Sequence, residues 1–214
     1  MEPKVIDPKN VLHEFYNLCV EARCDFDLYR SLYENEPTST ELCVNYAPYF
    51  FNDLNRIITR TLVLQICRIT DPAGSGSRAN LTTNYILDRL QWPTDVQQHL
   101  TQFNELLMTF RAKLEPARSK RIAHTDLHSQ LNQADAMGRF NKGEDAKFFI
   151  DLQSFYDVAY RHVFNASAPP IAVGFSTDTH KVFRAVKKAI LYDDCIRCEE
   201  SERSIDFLDF EQKA

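Results

Sequence analysis

Glycine is scarce in this chain: five in 214 residues. So few argue against an all-β fold, whose tight hairpin turns consume them. Long apolar runs are missing too. No window of about 18 apolar residues occurs, which is the length a membrane-crossing helix needs, so no membrane partner is expected. Behind Met1-Glu2-Pro3-Lys4 there is no apolar stretch of the kind a secretory signal carries. The expected location is therefore cytoplasmic, and Cys19, Cys24, Cys43, Cys67, Cys195 and Cys198 are expected as reduced thiols. There is no Gly-rich phosphate loop, no G-x-S-x-G elbow, no H-E-x-x-H and no Glu-x-x-His pair. Nucleotide-driven, serine-hydrolase and bundle-core metal readings thus lack a starting motif, and no cofactor is expected. Positive charge is in deficit, 25 Lys and Arg against 30 Asp and Glu, a net −5. That balance argues against sequence-blind coating of nucleic acid and leaves a local basic site open.

What is present is a succession of helical patterns. The length fits one to two domains at roughly 150 residues each, and we expect a single domain over residues 1–214. Such a chain buries about 70% of its unfolded surface and needs no disulfide staples. Asp7-Pro8 is a helix start, with Asp as N-cap and Pro at the first helical position. Leu12, Phe15, Cys19, Ala22, Phe26, Tyr29 and Tyr33 then recur at three- and four-residue spacing, one apolar face. Asn35-Glu36-Pro37 ends it. Thr38 with Glu41 makes a capping-box start to a second helix running to about Thr70, kinked near its beginning by Pro48. Its expected inner line is Leu42, Tyr46, Phe50, Leu54, Ile57, Thr61 and Leu62, broadened by Leu64 and Ile66.

Asp71-Pro72-Ala73-Gly74-Ser75-Gly76-Ser77 is the clearest loop. A short helix over 83–90 follows. Pro93 opens a longer one with Val96, Leu100, Phe103, Leu106, Leu107 and Phe110 inward, and Pro116 re-starts or kinks it. Residues 133–145 read as loop and 145–165 as helix, through Phe148, Phe149, Leu152, Phe155, Val158 and Val163. Ala168-Pro169-Pro170 breaks the chain. Asp178 or Thr179 caps a last helix ending near Tyr192, and 193–214 is a charged, partly apolar tail, loosely docked. Helices joined by short loops pack antiparallel. The expected fold is all-α, an antiparallel bundle with an additional C-terminal helix and tail. Its fifteen Phe and nine Tyr make the core aromatic, so Tyr hydroxyls must find polar partners or the surface.

One segment is chemically unusual. Arg111, Lys113, Arg118, Lys120 and Arg121 place five cations within eleven positions of an acidic protein, a patch suited to phosphate. Beside them stands His124, the side-chain type that titrates near neutrality. Arg121 and His124 share a helix face at a spacing of three. Arg118 and His124, six apart, converge only if the segment bends or a second chain supplies one of them. On composition alone, a solvated basic face with a surface His124–Asp126 pair accounts for the same residues.

The string Arg118-Ser119-Lys120-Arg121-Ile122-Ala123-His124-Thr125-Asp126 resembles the Arg-x(4–6)-His signature of the HEPN superfamily. It is similar to that of the abortive-infection AbiU-like group, as is Arg68-Ile69-Thr70-Asp71-Pro72 followed by Asn80-Leu81-Thr82. The resemblance spans about residues 8–190. It implies metal-independent RNA cleavage in phage defence or as a toxin, at a cleft between two protomers, with an antitoxin or regulatory protein as a further partner. Arg118, Ser119 and His124 would be catalytic. Lys120, Arg121, Arg111 and Lys113 would hold RNA phosphates, with Asp126 and Arg68 in support. For Arg68 an ordinary ion pair with a nearby carboxylate is the plainer alternative. Some members of the superfamily are catalytically inactive modules that bind RNA or protein.

A third reading is a helical metal protein. Cys195-Ile196-Arg197-Cys198 is a lone C-x-x-C, and a structural zinc site needs four ligands, so two reduced thiols are the simpler expectation. His124 and His128 lie one turn apart, fit to ligate a metal or to line a wet face.

Overall fold

A computed structural model of the chain describes residues 7–34, 42, 45–119, 140–172 and 176–211, by backbone alone at 77, 176–177 and 198–211. The described regular structure is helical: α1 (Pro8–Tyr33), α2 (Pro48–Ile69), a 3-10 turn (Gly76–Arg78), α3 (Thr83–Arg89), α4 (Thr94–Ala117), α5 (Glu144–Phe164) and α6 (Ser176–Glu211). The chain divides into two compact units, Met1–Phe26 with Arg56–Val173, and Asp27–Asn55 with Gly174–Ala214.

In the first unit two helix pairs pack antiparallel, α1 with α5 and α4 with α5. α1 and α5 meet along a row of rings. Phe15 lies on Phe155 at 6.2 Å between centroids, Tyr16 on Tyr156 at 5.4 Å and Phe26 on Phe149 at 4.5 Å. From Tyr16–Tyr156 to Phe26–Phe149 the numbers rise on α1 and fall on α5, which fixes the antiparallel sense. Among the described residues α4 and α5 are in extensive contact, again head to tail. Trp92, just ahead of α4, touches His162 near the end of α5, and Phe110 late in α4 touches Phe148 early in α5. Leu12, Phe15, Cys19, Leu100, Leu107, Leu152 and Phe155 are fully buried between these helices. The Tyr16 hydroxyl donates to the Pro170 carbonyl, so this ring keeps its polar end satisfied.

Helix ends follow the expected chemistry. The Asp7 side chain accepts from the Lys9 N–H at 3.0 Å, and the Thr82 hydroxyl accepts from the Tyr85 N–H at 3.0 Å. α5 is entered through Gly143 at φ 90° and left through Asn165 at φ 51°, two left-handed positions at its borders. α4 passes through Pro116 to Ala117, so the proline neither ends nor re-starts it.

In the second unit Phe51 stacks on Phe183, and the Tyr33 hydroxyl donates to the Phe51 carbonyl at 2.8 Å.

Four expectations need correction. Pro48 does not kink a continuous helix: Asn45 and Tyr46 are helical, Ala47 is not, and Pro48 takes the first position of α2, where its missing N–H costs nothing. The inner line of α2 holds at Leu62 and Ile66 but earlier in the helix is shifted by one residue, from Phe50 and Ile57 to Phe51 and Ile58. Phe51, Ile58, Leu62, Ile66 and Ile69 are buried, whereas Tyr46, Phe50, Ile57 and Leu64 are exposed. Apolar residues stand on two neighbouring stripes of this helix, and adjacent positions differ by only about 100°. On α4, Leu106 likewise faces out while Asn104 is buried. Lastly, α6 does not end near Tyr192 but continues to Glu211; no glycine or proline interrupts 193–211 to stop it. Thr38 and Glu41, the expected capping box, lie outside the described residues.

Candidate functional site

The site is built from the corner where α2 ends. Thr70 tightens the last turn: its hydroxyl donates to the Ile66 carbonyl at 2.7 Å, and its N–H is shared between Ile66 and Cys67. Asp71 precedes Pro72, and a residue before proline is pushed out of helical geometry, so the helix cannot continue. The carbonyls left over at such an end need donors. Asn84 on α3 supplies them, its amide donating to both Thr70 and Asp71 carbonyls at 3.1 Å. Carbonyls only accept, so the Asn84 Nδ2 must face them and its Oδ1 must face away. There it accepts from Asn104 Nδ2 on α4 at 2.9 Å. A relay of two amides thus ties α4 to the end of α2 through α3.

The loop that follows is closed on itself. Asn80 bonds back to Pro72 and Ala73, and Arg89 donates to the Gly74 carbonyl at 3.2 Å. Gly74 sits at φ 70°, and a Cβ there would stand 2.2 Å from the Arg78 carbonyl oxygen. Only glycine meets both demands.

Into this corner α4 sends two arginines. Arg111 Nη2 donates to Asp71 Oδ1 at 3.0 Å, and Arg118 Nη2 to Asp71 Oδ2 at 2.8 Å. Glu115 Oε2 lies 3.1 Å from Arg111 and 3.8 Å from Arg118. Positions 111, 115 and 118 fall on one helix face at spacings of four and three, which puts cation, anion and cation in a row. Two guanidinium groups and two carboxylates therefore alternate, and their formal charges cancel. The Arg118 side chain is 30% exposed and that of Arg111 15%, so Arg118 is the one turned to solvent. Arg118 Nε and Nη1 make no hydrogen bond among the described residues. Its backbone still has helical geometry, φ −60° and ψ −56°, and its N–H reaches the Leu114 and Glu115 carbonyls. Cys67 lies within the same electrostatic field. Burial pushes its thiol up to about 11, against the pull of Arg118 and Arg111, so it stands protonated at neutral pH.

Of the residues singled out in sequence, Arg111, Lys113, Arg118, Ser119 and Arg68 are described, while Lys120, Arg121, His124 and Asp126 lie outside the described residues. Ser119 is exposed, and its hydroxyl donates to the Glu115 carbonyl at 2.8 Å. Lys113 Nζ bonds Glu144 Oε1 at 2.7 Å, and that contact is the main reason the Glu144 carboxyl lies below its ordinary value. Arg68 is exposed on α2, with no ion pair among the described residues. Among the described residues no group of three or more His, Cys, Asp and Glu could hold a metal ion. Cys195 is exposed and free; the Cys198 side chain and His128 lie outside the description.

Sequence reading passed over Asp71, Asn84, Asn104 and Glu115 as site residues. Glu115 was within reach, because its spacing from Arg111 and Arg118 is that of helix ion pairs. Asp71 lies 40 and 47 residues from its two partners, a separation that no local pattern reveals.

The family model described as AbiU2, of the HEPN group, matches residues 9–181. The chain belongs to the HEPN AbiU2 family. The match contains α1 but for Pro8, then α2 to α5, residues 176–181 of α6, the Asp71 corner and the whole segment from Arg118 to Asp126. No curated protein and no solved structure matches the chain. Among the described residues of this AbiU2-family chain, no helix is long and apolar enough to cross a membrane.

Proposed function

We propose that this chain is a metal-independent endoribonuclease of the phage-defence or toxin type. An RNA 2′-hydroxyl attacks the neighbouring phosphate, the bond to the 5′-oxygen breaks, and 2′,3′-cyclic phosphate and 5′-hydroxyl ends remain. One proton leaves the 2′-hydroxyl and one arrives at the departing 5′-oxygen. His124 moves one of them as general base or general acid, a role typically worth about 10²–10⁴ in rate. Arg118 donates to the phosphoryl oxygens as their charge grows. Ser119 orients the histidine or the phosphate. Lys120, Arg121, Arg111 and Lys113 hold flanking phosphates, Asp126 fixes the imidazole tautomer, and Arg68 faces the same cleft. Two protomers supply the motif at a homodimer interface, which lets the Arg of one chain serve the His of the other. An antitoxin or regulatory protein would act on that dimer.

The observation that carries this reading is Arg118. Within a chain of the HEPN AbiU2 family, the first residue of the Arg…His string is tied to Asp71 through Nη2, has Nη1 3.8 Å from Glu115, and keeps its side chain 30% exposed. A second reading, a catalytically inactive RNA- or protein-binding module, is favoured by the charge balance of the corner. Arg111 and Lys113 already hold carboxylates, and Ser119 is bonded to its own helix.

RNA cleavage in EDTA by wild type, Arg118→Ala and His124→Ala separates the two. Cleavage lost in both folded variants is the expected result. Binding without cleavage in all three, over diverse RNAs, would replace the nuclease reading by the binding module.

A further inference from the structure

The reading above uses Arg118 but not the carboxylate that holds it. Asp71 has both oxygens engaged, one on each arginine, and its side chain is 17% exposed. Its backbone is pinned independently. The Asn84 amide grips its carbonyl, Asn104 grips Asn84, and Pro72 bars any slide back into the helix. Arg111, the more buried arginine, braces the far oxygen and is itself braced by Glu115. Every one of these contacts lowers the freedom of one oxygen atom, Asp71 Oδ2, and that atom's described partner is Arg118 Nη2. An arginine alone at a helix end samples many rotamers. Hydrogen-bonded to Asp71 through Nη2, with Glu115 3.8 Å from Nη1, it holds one orientation, and preorganised donors act on developing charge without reorganising.

We propose that Asp71 is a positioning residue for RNA cleavage, holding the Arg118 guanidinium in the orientation that meets the scissile phosphate. It touches Arg118 and acts through it. The inference rests on the nuclease reading, and it names a residue 47 positions away from the Arg…His string that the reaction needs. The binding of ground-state RNA depends on net charge and flanking cations, so Asp71 should matter for kcat more than for KM.

The test is a double-mutant cycle on the full chain in EDTA, using Asp71→Asn, Arg118→Ala and the double variant, with single-turnover and steady-state cleavage of one RNA. Asn keeps the shape and the backbone carbonyl that Asn84 grips, so the corner stays capped. Phe155→Leu, in the ring seam between α1 and α5 and away from the corner, controls for stability loss, and thermal melting checks that each variant folds. Asp71→Asn should lower kcat by about 10- to 10²-fold, the scale of a misplaced catalytic group, with KM changed by less than about twofold. The double variant should be no slower than Arg118→Ala alone. Multiplicative losses, a kcat equal to wild type, or a faster Asp71→Asn enzyme would each overturn the proposal. The last would make Asp71 a brake on Arg118, and in all three the nuclease reading would stand. If wild type does not cleave, that reading falls, and the same cycle is read on affinity for a fluorescein-labelled RNA. Non-additive affinities would then keep Asp71 as the residue that positions Arg118 for phosphate. Additive affinities, or no binding, would overturn it.

Discussion

Between α1 and α5 the chain is joined by rings, and at the end of α2 it is joined by amides and charges. Both regions lie in the same unit, and they do different work. The ring seam from Phe15 to Phe26 buries apolar area, which is non-directional and tolerates replacement by side chains of similar volume. Each buried Phe contributes about 1.5–3 kcal/mol relative to exposure. The corner of Thr70, Asp71, Asn84, Asn104, Arg111 and Arg118 is joined by directional contacts. Hydrogen bonds contribute less net stability, about 0.5–1.5 kcal/mol each, but cost more when one partner is removed. The seam therefore decides which helices pair, and the corner decides where one guanidinium points.

That contrast can be broken at several places. The largest effect is expected in the seam. Phe155→Ala empties a fully buried position against Phe15 and should cost about 3–5 kcal/mol in urea unfolding, whereas Phe155→Leu should cost under about 1.5. A loss from Phe155→Ala of less than about 1 kcal/mol would mean the rings do not carry the fold.

Next comes the relay. Asn84→Ala strips donors from the Thr70 and Asp71 carbonyls and leaves Asn104 without its acceptor. A loss of about 1–3 kcal/mol is expected, and cleavage should fall by more than the fraction unfolded explains, because the corner loosens under Arg118. A fall in stability with the cleavage rate per folded molecule unchanged would separate the relay from the site.

The smallest effect is at Glu144. Its carboxyl is held below the ordinary value chiefly by the Lys113 contact and next by the Asn141 N–H. A carboxyl with a depressed folded pKa adds stability above its unfolded value, about 4.3, and that stability is lost as pH falls through the lower folded value. Glu144→Gln should therefore flatten the acid limb of the urea midpoint against pH and leave the alkaline limb alone. An unchanged acid limb would show that the contact adds nothing in solution.

Much of the fold was legible because helix borders are written locally. Asp7-Pro8, the Asp71–Ser77 loop and the Ala168-Pro169-Pro170 break each carry their own stop or start chemistry, and the helices lie between them. The inward face of α2 was not legible, since Phe50 and Phe51, or Ile57 and Ile58, are equally apolar and only packing chooses between them. The length of α6 was misread from its charge, although a charged face is compatible with a helix. At the site, Arg118 stood out through its neighbours in sequence, and the family match from 9 to 181 agrees with the AbiU-like resemblance drawn from those strings. Asp71 stood in the loop and in the Arg68–Pro72 string of the AbiU-like resemblance, but without a role. Its role depends on α2, α3 and α4 meeting, and a contact across 40 or more residues leaves no local periodicity.

The most direct measurement is single-turnover RNA cleavage by the full chain in EDTA, wild type against Arg118→Ala, with the product ends identified. The expected result is 2′,3′-cyclic phosphate ends from wild type and a rate lower by about 10²–10³-fold in the folded variant, the scale of losing one donor to a developing charge. Equal rates in the two proteins, or cleavage leaving other ends, would contradict a site built on Arg118.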